Sequence, residues 1–111
     1  MNLSFNVLNK HEKNIHMTEL KIKTDSPEAA VILIEILSEV QRAETKYPNW
    51  PECNVKRAAI VLEEAGELIR EANQLDEGTG SFSNLRTEAI QTAAMCIRLL
   101  KHLIPEKEDR V

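Results

Sequence analysis

Apolar residues recur along most of this chain at the three-to-four spacing of amphipathic helices, and proline- and glycine-bearing breaks divide them into three segments. Ser26, Pro27 and Glu28 predict the first helix start: an N-cap hydroxyl, proline at the first helical position and an acid in the first turn. That helix runs to about Lys46. Its first half, Val31 to Leu37, is apolar almost all round, the pattern of a helix buried on more than one side, and in a small chain this points to a subunit interface. Two prolines in Tyr47 to Pro51 end it. A second helix begins between Pro51 and Asn54 and continues to about Leu75, with Val55, Ala58, Ala59, Leu62, Ala65, Ile69 and Ala72 as its apolar stripe. Asp76 to Ser81 reads as a turn. A third helix starts near Ser83 and runs to Ile104, where Pro105 stops it. Leu85, Ala89, Ala93, Ile97, Leu100 and Ile104 are its expected core stripe.

The flanks read differently. Leu3, Phe5 and Val7 alternate with polar residues, as do Leu20 and Ile22, which fits short strands or an arm laid on a neighbouring subunit. The expected organisation is an N-terminal arm over 1–25, a helical domain over 26–105 and a charged, frayed tail over 106–111. The fold class is all-α: three main helices in a bundle completed by oligomerisation, with an irregular or short-strand N-terminal arm.

Composition sharpens this picture. At 111 residues the chain suits one domain, and with 4% aromatic residues its core must be aliphatic, which favours helix packing over a sheet sandwich. A net charge of −4 argues against gripping a nucleic-acid backbone. Cys53 and Cys96 form neither a CxxC pair nor a metal-ligand array, and read as reduced thiols. The most apolar stretch, Ala29 to Leu37, is broken by Glu35 and too short to span a bilayer. The N-terminus has no charged segment followed by an apolar run. A cytoplasmic protein is expected. His11 and His16 resemble a zinc-protease pair, but five residues apart they fall about 140° apart on a helix, so that reading fails.

The chemistry concentrates in the second helix. Glu63 and Glu67 lie within about 40° of each other on a helix, and Glu64 about 60° beyond Glu67, so all three point into one sector. On a solvated face such like charges cost only about 0.2–0.5 kcal/mol per pair. Inside a bundle, two carboxylates about 4 Å apart repel by roughly 4 kcal/mol at an effective dielectric near 20. A buried cluster therefore requires a metal, a proton or a basic partner, whereas an exposed one is simply an acidic stripe. The third helix carries Glu88 and Gln91 on one side of its stripe. Trp50, the lone tryptophan, is either a packing anchor for its loop or a stacking surface for a planar ligand such as a nucleobase. A di-iron carboxylate bundle is set aside, because it needs Glu-x-x-His pairs and the one helical histidine, His102, has Leu99 three residues before it.

The segments Arg57–Leu68 (RAAIVLEEAGEL) and Arg86–Arg98 (RTEAIQTAAMCIR) resemble the MazG-like nucleotide pyrophosphohydrolases of the all-α NTP pyrophosphatase superfamily. The likeness covers roughly residues 27–103 and is strongest from Arg57 to Leu100. The family pattern is EExxE followed by ExxD on the next helix. Glu63, Glu64 and Glu67 match the first part and Glu88 the start of the second, while Gln91 stands where the family carries Asp. The resemblance implies hydrolysis of nucleoside or deoxynucleoside triphosphates to monophosphate and pyrophosphate, a house-cleaning of the nucleotide pool. It implies Mg²⁺, with Mn²⁺ as a substitute, held by Glu64, Glu67 and Glu88, and Glu63 as a group that helps bind the metal or orients and activates the attacking water. Gln91 brings an amide oxygen but no charge. A homodimer or homotetramer with sites at subunit interfaces is expected, with Trp50 over the base and Lys46, Lys56, Arg57, Arg86 and Arg98 as phosphate contacts, each also readable as an ordinary surface cation. Among these, Trp50, Lys56 and Arg98 are the expected substrate-binding residues. Gln91 keeps an alternative open: a catalytically inactive helical oligomerisation or nucleotide-binding regulatory module.

Overall fold

A computed structural model of the chain describes residues 2–9 and 16–103. Strands β1 (Asn2–Asn9) and β2 (His16–Lys23) pair antiparallel, with Leu3 opposite Ile22 and Phe5 opposite Leu20. Three helices follow: α1 (Pro27–Lys46), α2 (Asn54–Asp76) and α3 (Phe82–His102). The helical expectation holds, and the alternating stretches of the arm are two strands paired antiparallel. Most of the His11–His16 segment, the Ile104–Pro105 stop and the 106–111 tail lie outside the described residues.

Local chemistry sets the helix ends. The Ser26 hydroxyl accepts the Ala29 N–H at 3.3 Å, and Pro27 follows it into the first turn. Ser81 caps α3 in the same way, accepting the Asn84 N–H at 3.0 Å. Between α2 and α3 the chain reverses in a tight loop. The N–H groups of Thr79 and Gly80 both donate to the Gln74 carbonyl, at 2.9 and 3.0 Å. Gly78 has φ +85°, a conformation glycine takes without strain. At Gly80 an added Cβ would lie 2.8 Å from the Leu75 nitrogen, so only glycine fits there.

Cross-helix contacts give the orientation. Arg57 at the start of α2 donates to the His102 carbonyl at the end of α3 (3.4 Å), so these helices run antiparallel. Arg86 near the start of α3 pairs with Glu35 (2.7 Å), and Lys101 near its end pairs with Glu44 (2.7 Å), so α1 runs parallel to α3. The core sits where α1 meets α3: Val40, Ala43, Ala94 and Met95, with Ile36, Trp50, Ile60, Val61 and Ile97 packed around them.

The faces turned inward differ from the expected ones. On α2, Val55, Leu62 and Ile69 are 77%, 72% and 60% exposed, and the core contacts come from Ile60 and Val61 instead. On α3 the buried residues are Ala94, Met95 and Arg98, while Leu100 is 62% exposed and Ala89 is exposed too. Leu85, Ala93 and Ile97 of the expected stripe are half-buried, and Ile104 is outside the described residues. On α1, Val31, Ile32 and Leu33 are exposed in the single chain. A helical period fixes the relative phase of apolar residues, but where two apolar stripes run along one helix it does not say which meets a neighbour. Among the described residues no helix is long and apolar enough to cross a membrane.

Candidate metal centre

The αα-hairpin of α2 and α3 brings the Glu88 carboxylate to those of Glu64 and Glu67. Glu64 and Glu67 lie on adjacent turns of α2, and the 77–81 loop sets α3 so that Glu88 comes alongside. One carboxylate oxygen from each of Glu64, Glu67 and Glu88 lies within 4.8 Å of the other two. All three side chains are half-buried. Glu63, on the next position of α2, is exposed.

Electrostatics marks this cluster as short of positive charge. The Glu64 carboxyl is pushed above the usual carboxylate range, first by burial and then by Glu67, Glu88, Glu63 and Glu39. Glu88 is raised in the same sense: by burial first, then by the charge and close contact of Glu67 and the charge of Glu71, with Arg70 offsetting a part. Oε2 of Glu64, Glu71 and Glu88 are buried without a hydrogen-bond partner. Buried acceptors are normally satisfied, so the two that belong to the cluster, on Glu64 and Glu88, ask for a ligand.

The donor set fits a hard divalent cation. Carboxylate oxygens on two facing helices, with no histidine or thiolate among them, suit Mg²⁺ or Mn²⁺ better than zinc. Glu64, Glu67 and Glu88 are the residues that would hold it.

Two acids of this neighbourhood were given no role in the site from the sequence. Glu71 extends the Glu64–Glu67 ridge by one more turn, and that i+4 spacing was a usable signal. Glu39 comes from α1, and nothing in the pattern places it near α2. Its carboxylate is held by Arg42, three residues on, at 2.7 Å from Nε.

The expected substrate contacts sort differently. Trp50 packs against the core, stacked on His102 with ring centroids 5.4 Å apart and the Arg98 guanidinium 4.6 Å from its centre. Arg98 is buried and donates to the Tyr47 carbonyl at 2.7 Å. The two thus hold each other and anchor the 47–53 connection to α3. Arg57 donates to the Pro51 carbonyl at 2.6 Å, and Arg86 is bound to Glu35. Lys46 lies over the Tyr47 ring at 5.3 Å. Lys56 is exposed on α2, seven residues before Glu63 and so on the same side of the helix. Gln91 is half-buried, one turn beyond Glu88.

No family model, no curated protein and no solved structure matches this chain. The likeness carried by Arg57–Arg98 therefore rests on those residues alone.

Proposed function

We propose that this chain hydrolyses nucleoside or deoxynucleoside triphosphates to the monophosphate and pyrophosphate with Mg²⁺ as cofactor. One observation carries the reading: Glu64, Glu67 and Glu88 converge within 4.8 Å, and two of them keep a buried oxygen without a partner. An ordinary acidic stripe turns such groups to water. The EExxE segment and the downstream Glu88 are also the elements that resemble the MazG-like enzymes.

When bound, Mg²⁺ offsets the carboxylate repulsion together with the triphosphate's charge, and stabilises the charge on departing pyrophosphate. Glu64, Glu67 and Glu88 hold that charge in place. Glu63, exposed beside them, takes the proton of the attacking water as its oxygen bonds to the α-phosphorus. The α–β anhydride bond then breaks and its electron pair leaves on pyrophosphate. Positioning and charge stabilisation are most of what such chemistry needs. Lys56 is an exposed cation on the Glu63 side, as is Arg70, and reaches the outer phosphates. Gln91 offers its amide to water or to a phosphate oxygen. Trp50 and Arg98 act on the site through the 47–53 connection, since the indole already has its stacking partner in His102. The enzyme works as a homodimer or homotetramer in this reading.

Gln91 favours one alternative, a nucleotide-binding module without turnover. An incubation with a panel of NTPs and dNTPs, with Mg²⁺ or EDTA and separate detection of pyrophosphate and orthophosphate, decides between them. Metal-dependent pyrophosphate with matching monophosphate is expected, and Glu67→Gln abolishes it. Absence of release from every nucleotide, in folded protein that still binds Mg²⁺, overturns catalysis in favour of the module.

A further inference from the structure

We propose that α2 pairs with the α2 of a second copy of this chain, antiparallel about a two-fold axis near Leu62, through Val55, Leu62 and Ile69. These three large apolar residues recur every seven positions and are 77%, 72% and 60% exposed, a continuous seam along a helix that turns its other side to α3. Around them lie small residues, with Ala58, Ala59 and Gly66 exposed and Ala65 half-buried. The seam is symmetric about Leu62: a two-fold axis there brings Val55 opposite the partner's Ile69, and Ala58 and Ala59 opposite the partner's Gly66 and Ala65. Self-complementarity of this kind is what an isologous interface requires.

Gly66 supplies a separate argument. A mid-helix glycine weakens its helix, and here a Cβ would meet nothing within 4 Å. Neither packing within the chain nor backbone conformation requires it, whereas close approach of a second helix does.

The seam lies about 170° around α2 from Glu64, Glu67 and Glu71. The pairing therefore leaves the carboxylates open and stands whether or not they hold a metal.

Sedimentation equilibrium of the full chain, without nucleotide or metal, tests this. The wild-type mass should be a multiple of 12.6 kDa that halves in Leu62→Glu, with unchanged far-UV circular dichroism. Gly66→Leu, which has open space in the single chain, should raise the dissociation constant at least ~10-fold even if Leu62→Glu fails to fold. A wild type that is monomeric at ~100 µM, or one whose mass both folded variants retain, overturns the proposal.

Discussion

Replacing Glu67 with glutamine should stabilise the metal-free protein while removing its response to Mg²⁺. The three carboxylate oxygens lie within 4.8 Å of one another. At that separation each pair of charges repels by about 1 kcal/mol at the dielectric of water and about 3.5 kcal/mol at an effective dielectric of 20. The groups are only half-buried, so screening keeps the true cost toward the lower figure. Glutamine at 67 removes two of the three repulsive pairs and keeps the side chain's shape. The expected gain is on the order of 1–2 kcal/mol without metal, which in a domain of this size raises Tm by roughly 5–10 °C. Wild type should close that gap when Mg²⁺ is added, because bound cation stabilises the native state by mass action, and the variant should not. Thermal unfolding by circular dichroism, in EDTA and in Mg²⁺ at one fixed protein concentration, reads both effects. A Glu67→Gln protein that melts below wild type in EDTA would refute the reasoning. It would mean that Glu67 makes a favourable contact and that the cluster is not short of positive charge.

Two further outcomes follow from the same geometry. Burial first, and neighbouring carboxylates second, raise Glu64 and Glu88 above the ordinary carboxylate value in the folded chain. The folded state then binds protons more readily than the unfolded one. Their protonated form supports stability fully below the ordinary value near ~4.3, and that support is lost as pH rises through the raised folded value. Metal-free Tm should therefore climb on mild acidification from pH ~7, and Mg²⁺ should flatten the slope; a Tm that falls from the outset contradicts it. Trp50→Ala should cost about 2 kcal/mol in urea denaturation, less than the ~3–5 kcal/mol of a fully buried tryptophan, because the indole is half-exposed. A neutral result would show that its contacts with Arg98 and His102 do not anchor the loop.

Local chemistry alone determined much of this protein. Ser26, Pro27 and the 76–81 turn mark helix ends within a few residues of the observed ones, because capping and turn preferences act over a handful of neighbouring atoms. Glu63, Glu64 and Glu67 share a sector because helix pitch puts them there, whereas Glu88 was joined to them only through the family resemblance of Arg86–Arg98. The tertiary structure decided which faces meet. Val55, Leu62 and Ile69 form as regular a stripe as any core helix shows, yet they point outward, and Ile60 and Val61 pack inward. Periodicity is a property of one helix, whereas burial depends on the neighbours that the turn and the cross-helix pairs bring to it. The same limit hid Glu39, which reaches the cluster from α1. It also left Trp50 open between stacking a ligand and anchoring a loop, until His102 and Arg98, some fifty residues away in sequence, were seen against its ring.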